Sequence, residues 1–370
     1  MTDRHPYHGC RFSTTIMGMS TLMFRTFALD VPKLFPLTIS RGTSGTTRNM
    51  FVEVSDGEHV GIGEGAPPTG TPPELAERLD IVLADLFEMA QSASIEEVWQ
   101  AGFEQNIDPV ALAALDCALW DLKAKQAGKP LFELLGAPQP TSATTVTIGI
   151  EPVEVVLERV PKILSISGGR ALKVKLGSPA GRDHDRGIWE AAREAAQPFG
   201  VVMRADANGG WSAEETLDMA DWLSERGCEY IEQPIERGKE AELERVIGKC
   251  ALPIYLDESI RTEREVVDFA GLCDGVNLKL MKSGGISGGL GVIRAAKRAG
   301  KGTMIGCMCE TAVGIAQSAA LSGWCDFVDL DTHFNHDPEP GDGLDFVDGI
   351  VMPRNIPGHG GFIKPEFYPR

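Results

Sequence analysis

Three carboxylates close three successive apolar runs in this chain: Asp206 in RADANGGW, Glu232 in YIEQP and Asp257 in IYLDES. Lysines hold the equivalent places on either side, Lys173 and Lys175 in ALKVKLG and Lys279 in VNLKLMKSGG. Carboxylate oxygens are hard donors of the kind Mg²⁺ takes in octahedral geometry, with positions left for water or substrate. Three monodentate acids leave space for a bidentate substrate carboxylate. Alternate residues of a strand share a face, so the ammonium groups of Lys173 and Lys175 point the same way while Val174 packs behind them. Neighbouring cations disfavour each other's charge, and a general base working near neutrality needs a pKa of about 7–8 against roughly 10.4 for free lysine. That lowering of about 3 units, around 4 kcal/mol, is within reach of a second lysine and a divalent metal. A cation site with a base on each side is suited to moving a proton on carbon.

Other residues extend the constellation. The last apolar run ends Val328-Asp329-Leu330-Asp331. By the same alternation both acids face one way, into the mouth, and close like charges call for a cation between them. A substrate ammonium group fits that need. Glu310 in CMCET, just past the seventh run, could support a base or orient a substrate carboxylate. Asn208, two past Asp206, reads as support for that acid. Lys282 lies in a loop and reads as solvated, and His333 and His336 read as rim residues. The glycines of SGGISGG, residues 283–289, are followed by no lysine-serine pair or dinucleotide fingerprint. They read as a tight turn that lets backbone approach the substrate, not as a phosphate cradle. Cys307 and Cys309 lie two apart, but no second sulfur or histidine pair accompanies them, so a metal role is disfavoured.

These groups need a scaffold that gathers strand ends. TVTIGI, ALKVKL, VVMRAD, YIE, PIYLD, GVNLKL, GTMIGC and FVDLD read as eight strands over residues 139–340, with a helical segment between each pair. That is the count of a (β/α) barrel, whose active site lies at the C-terminal strand ends. Residues 21–138 follow a different rhythm. They are strand-like to about Pro67, with an Asp56-Gly57 hairpin turn between MFVEV and HVGIGEG, and helical from Pro73 to Leu135. Residues 341–370, rich in Gly and Pro, are expected to return to this first domain. Residues 1–20 lack the apolar core of a signal peptide and read as a disordered extension. Apolar residues at 43% and charged ones at 24% suit a globular enzyme. The formal net charge of -18 argues against nucleic acid and anionic membrane as partners, since both need basic patches. Eight cysteines without a C-x-x-C pair fit reduced thiols in the cytoplasm.

The order K-x-K, DAN, EQP, DES and NLKLMKSGG, with GIGEGAP and ALDCALWDLKAKQAGKPLFELLG upstream, resembles the muconate-lactonizing branch of the enolase superfamily over about residues 22–365. The resemblance implies an α/β fold, a (β/α)7β TIM-like barrel with an α+β capping domain made from the N-terminal segment and the tail. It implies Asp206, Glu232 and Asp257 as ligands of one Mg²⁺ per active site. Lys175 and Lys279 become the two bases, and Lys173 polarises the substrate carboxylate. The D-x-D at Asp329 and Asp331 is similar to that of the dipeptide epimerases in this branch, where it holds the substrate's α-ammonium. The implied reaction inverts the α-carbon of the C-terminal residue of a dipeptide by two-base proton transfer through an enediolate. Members acting on L-Ala-D/L-Glu carry an arginine after the first strand. Arg41 or Arg48 of ISRGTSGTTRN supplies one here, with Arg41 the substrate-binding candidate. The THFNH after the acid pair departs from the more apolar run of those members. N-acylamino acid racemases, o-succinylbenzoate synthases and muconate cycloisomerases share the lysines and metal, but their substrates lack a free ammonium for Asp329 and Asp331. Acid-sugar dehydratases place a histidine base near the seventh strand, and GTMIGCMCE has none. A non-catalytic barrel would have no need of intact bases and metal acids. The expected partner is a small-molecule dipeptide, with no nucleic acid or membrane, and a homo-oligomer is expected.

Overall fold

A computed structural model describes residues 21–68, 71 and 74–369. The expected extension 1–20, Cys10 included, lies outside the described residues. The chain begins with an antiparallel sheet of β1 (Met23–Ile39), β2 (Gly42–Ser55) and β3 (Val60–Gly65). Asp56 makes the β2–β3 turn by accepting the backbone N–H groups of Glu58 and His59 on Oδ1, and Gly57 takes φ 94°.

This sheet sits unusually close to the helix Pro109–Gln126. Gly61, Gly63 and Gly65 share one face of β3, because strand side chains alternate. A Cβ on them would fall 2.2, 2.0 and 2.4 Å from the carbonyl oxygens of Ala118, Ala114 and Val110, which recur every four residues along the helix. The strand's period of two thus meshes with one ridge of the helix, and only glycine fits. Flanked by this sheet on one side and the barrel on the other, the helix is buried without a break from Val110 to Leu122. The segment expected to be helical from Pro73 to Leu135 forms several helices, Ile95–Glu104 and Leu131–Leu135 among them.

The second body is an eight-stranded parallel sheet ordered from β4 to β11. Its strands are β4 (Thr145–Ile148), β5 (Ala171–Lys175), β6 (Val202–Asp206), β7 (Cys228–Glu232), β8 (Ile254–Leu256), β9 (Gly275–Leu278), β10 (Gly302–Gly306) and β11 (Phe327–Asp329). A parallel bridge between Thr144 and Val328 joins the last strand to the first and closes the barrel. α-Helices connect most neighbours, but not every pair. Between β7 and β8 runs only the 3-10 segment Glu240–Arg245, because Gly238 and Gly248, both at positive φ, bracket a short run. One end of the barrel is plugged by Tyr230, Tyr255, Met304 and Phe327, with the Arg204 guanidinium 4.9 Å from the Phe327 ring centre. Polar side chains therefore gather at the other end.

The tail runs back along the first body. Tyr368 donates from Oη to Glu53 (2.9 Å), Arg25 donates to the carbonyl of Pro369 (3.2 Å), and the backbone N–H of His359 reaches Asp121 (2.8 Å).

Candidate active site

Parallel pairing in register sets the height of the key groups. Lys175 is opposite Asp206, and Asp206 opposite Glu232, each the last residue of its strand. Asp257 directly follows β8 and Lys279 directly follows β9. The result is one ring of buried charge at the C-terminal end of the barrel. Oxygens of Asp206, Glu232 and Asp257 lie within 4.8 Å of one another, and all three residues are buried. Buried carboxylates this close repel unless cations intervene. Three hard oxygen donors on one spot are a donor set that fits a divalent cation such as Mg²⁺.

Lysines fill the spaces between the acids. Lys173 is enclosed, contacting Asp329, Glu232 (3.1 Å) and Asp206 (3.7 Å). Lys175 pairs with Asp206 at 2.5 Å and Lys279 with Asp257 at 2.8 Å. At Lys173 the surrounding acids outweigh the neighbouring lysine. Burial works against charge on Lys173, but Asp329, Glu232 and Asp206 outweigh it and hold its pKa well above the usual lysine value. Burial likewise opposes charge on Lys279, and Asp257 and Glu232 raise it. Among the acids, burial and then Asp206 push Glu232 up to about 8. Burial is outweighed at Asp257 by Lys279 and Lys282, and at Asp206 by Lys175 and Lys173, so both titrate below the usual carboxylate range.

At the last strand, Asp329 and Asp331 are both buried, at 3% and 9% exposure, but they differ in company. Asp329 accepts from Lys173 and from the Thr145 hydroxyl across the barrel seam. Asp331 begins the 3-10 turn Thr332–Asn335 and has no cationic side chain within 4.0 Å among the described residues. Its neighbours are the Thr147 hydroxyl and the Cys307 thiol, 3.7 Å away. Burial, with Asp329 beside it, pushes Asp331 up to about 6. Cys307 donates to the Asp329 carbonyl (3.2 Å) and makes no cluster with Cys309.

Glu310 is fully buried behind the ring. It accepts the Met308 N–H on one oxygen, while the other has no hydrogen-bond partner among the described residues. Burial, and then the charge of Glu64, push it up to about 8. His333 is half-buried and His336 is buried. Burial pushes His333 down to about 3, and His336 pairs through Nδ1 with Glu339 at 2.8 Å.

The β1–β2 hairpin reaches over this ring. The Ile150 N–H donates to the Thr38 carbonyl (2.8 Å), and Gly149 leaves room for that approach. At the tip, Ser40 and Arg41 both donate to the Asn208 carbonyl (3.0 and 3.1 Å), and Arg41 pairs with Glu258 at 2.7 Å. Arg41 is therefore at the mouth. Arg48 is not, since it pairs with Asp30 along the hairpin at 2.9 Å.

Several contributors escape a reading of the sequence. Lys282, expected in solvent, is buried against Asp257, donating also to the Asp257 and Asn277 carbonyls. One helical turn separates it from Lys279, and that i, i+3 spacing was the available signal. Asn277 donates to Glu232 (2.8 Å), and its alternation with Lys279 on one strand places it on the same face. Gln233 accepts the Asp257 N–H (2.8 Å) and donates to Ser259 (2.8 Å), tying two ligand loops together. Asn208, by contrast, was read from the sequence as support for Asp206, and its N–H does donate to that carboxylate (2.9 Å). In SGGISGG, Gly284 and Gly285 face the first body, where a side chain would strike Leu112 and Asp116, and a Cβ on Gly288 would meet the Ser283 carbonyl oxygen at 1.9 Å.

Comparison with known proteins fits this geometry. Residues 156–367 match the family described as Enolase C-terminal domain-like, and residues 23–136 match the Mandelate racemase / muconate lactonizing enzyme, N-terminal domain. The chain belongs to this mandelate racemase and muconate lactonizing enzyme family of enolase-like proteins. It is 46% identical over 332 residues to the "Hydrophobic dipeptide epimerase" of Roseobacter litoralis, covering 90% of this chain and 96% of that protein. It is 42% identical over 348 residues to the protein of the same name from a Flavobacteria bacterium, covering 94% and 100%. Among solved structures, the dipeptide epimerase of Cytophaga hutchinsonii, complexed with Mg and D-Ala-L-Val, superposes with a TM-score of 0.86 at 25% identity, covering 95% of this chain and 97% of that one.

Proposed function

We propose that this chain is a Mg²⁺-dependent dipeptide epimerase that inverts the α-carbon of the C-terminal residue by two-base proton transfer. One observation carries the reading: Lys175 and Lys279 stand at the end of β5 and just past β9, four strands apart in an eight-stranded closed sheet, with the carboxylate cluster between them. Two bases on opposite sides of one carbon are what inversion requires and what a one-base elimination does not use.

The positions support the following roles. Asp206, Glu232 and Asp257 would hold the cation. When bound, it supplies Lewis-acid stabilisation of the charge that develops on the substrate's carboxylate oxygens, worth several kcal/mol. Lys173 adds a fixed positive charge from the floor of the same ring, favouring an enediolate over a localised carbanion. Lys175 accepts the α-proton from one face of the substrate and Lys279 delivers one to the other, and the roles exchange for the opposite epimer. Asp331, the acid without a cation of its own, receives the substrate's α-ammonium beside Asp329. Glu310, buried and held near neutrality, buttresses the loop after β10. Arg41 closes the mouth.

The substrate class is a dipeptide with an uncharged, apolar C-terminal side chain. The names of the two relatives above support this, and so does Arg41. Its guanidinium already carries the Glu258 carboxylate, so a substrate glutamate would have to displace that partner.

The test is a dipeptide panel incubated in D₂O with Mg²⁺, read by mass and chiral analysis. Deuterium is expected at the α-carbon of the C-terminal residue, with formation of the other epimer. Faster exchange of N-acylamino acids than of free dipeptides would replace this reading with N-acylamino acid racemase.

A further inference from the structure

The loop that carries Lys279 is not held by the barrel alone. Lys279 leads into the short helix Leu280–Ser283, then Gly284 and Gly285 at φ 72° and 106°, then the long helix Ile286–Arg298. The first body grips this stretch at four points. Asp116, on the buried helix Pro109–Gln126, accepts the Ser287 N–H on Oδ2 (2.9 Å) and the Ser287 hydroxyl on Oδ1 (2.5 Å). Trp120, one turn further on, donates to the same hydroxyl (2.9 Å). Trp99 donates to the Ser283 carbonyl (3.2 Å), and the Ala66 N–H reaches the Met281 sulfur (3.1 Å).

The glycines are part of this fit. A Cβ on Gly285 would lie 2.5 Å from Asp116 Oδ2, so the chain passes over the carboxylate without clearance. Asp116 is 2% exposed and touches neither the metal acids nor the mouth. A carboxylate at a helix N-terminus satisfies orphan N–H groups and complements the helix dipole. Here that carboxylate comes from a different body, 171 residues away in the chain.

We infer that Asp116 is a positioning residue for the base Lys279, fixing it through Ser287 and the Gly284-Gly285 turn. This rests on the two-base reading above. Lys279 and Lys282, in the same stretch, both pair with Asp257, so a shift of this loop that reached the metal acids would slow both exchanges and not one. The loop after Lys175 is held instead by Asp185, which accepts the N–H groups of Gly177 (3.0 Å) and Ser178 (2.9 Å). The consequence is handed. Misplacing a reacting group by about 1 Å can cost on the order of 100-fold, and here the loss falls on one face of the substrate.

The experiment compares wild type, Asp116→Asn, Ser287→Ala and Lys279→Ala, each with Mg²⁺ in D₂O, following α-proton exchange separately from each epimer of one dipeptide. Asp116→Asn should slow, by about 10-fold or more, the exchange that Lys279→Ala abolishes, and leave the other within about twofold. Ser287→Ala keeps the backbone N–H bond to Asp116 and should show the same handedness at smaller size, which serves as the reading if Asp116→Asn does not fold. Equal slowing of both exchanges in the folded variants, or none in either, would overturn the inference. Failure of the underlying two-base reading is separate and visible in the wild type, as absence of exchange from one or both epimers.

Discussion

Asp331→Asn tests the part of the site that sets the substrate class. Asp329 is already engaged by Lys173 and Thr145, whereas buried Asp331 has, among the described residues, the uncharged Thr147 and Cys307 side chains as partners. An incoming ammonium would supply the missing countercharge. A hydrogen bond to a charged group is worth about 1.5–3 kcal/mol, so the substitution should lower kcat/KM about 10- to 150-fold at 1.4 kcal/mol per tenfold. Asparagine keeps the volume and an acceptor oxygen, so the fold should be unaffected. The assay is the ratio of kcat/KM for a free dipeptide to that for its N-acetyl derivative, which cancels ionisations common to both. In wild type that ratio should fall as pH drops through about 6, where burial and Asp329 place the Asp331 carboxyl, because the protonated acid offers no charge. In Asp331→Asn it should be small and flat with pH. A proportional loss on both substrates, or an unchanged ratio, would refute the assignment.

Three further outcomes follow from the same geometry. Lys175→Ala and Lys279→Ala should each abolish epimerisation while sparing α-proton exchange from opposite epimers, checked by deuterium incorporation; identical exchange patterns in the two variants would count against a base on each face. Asp206→Asn, Glu232→Gln and Asp257→Asn should each remove turnover and weaken Mg²⁺ binding measured by calorimetry, and chelation of the wild type should do the same. Glu310→Gln should become more stable relative to wild type as pH rises from about 5 to 8. The folded carboxyl is raised to about 8 by burial and Glu64, so the folded state binds the extra proton and wild-type stability is lost with rising pH, by at most about 1.4 kcal/mol per unit. A pH-independent difference in unfolding free energy would show that Glu310 does not titrate with folding.

The barrel and the acid ring were legible because both are periodic. One acid per strand end, repeated over three strands, carries its own geometry, and alternation correctly paired Lys173 with Lys175. Alternation failed at Asp331 in detail, because β11 ends at Asp329 and the chain turns into a 3-10 segment. Both acids are still buried together, but only one lies in the strand. Contacts between the two bodies were illegible. Glu64 caps the helix Ala312–Ser322 through the Thr311 and Gly314 N–H groups, 247 and 250 residues away, and nothing local to GIGEG announces that partner. The glycines of SGGISGG were legible as a turn, but what Gly284 and Gly285 approach is a helix of the other body.

The lysine electrostatics show most clearly what a linear reading omits. Neighbouring lysines in K-x-K suggest mutual lowering of proton affinity, since the sequence displays the like charge and hides the opposite one. Folding brings Asp206, Glu232 and Asp329 to Lys173 from the ends of β6, β7 and β11, at 3.7 Å, 3.1 Å and hydrogen-bond contact. Coulomb energy falls with distance and not with sequence separation, so three acids prevail over one lysine. The acids that pair with these lysines are the same ones suited to a divalent cation. Competition for Asp206 and Asp257 therefore couples the cation site to the ion pairs of both candidate bases, and an Mg²⁺ titration should shift the pH dependence of exchange as well as its rate.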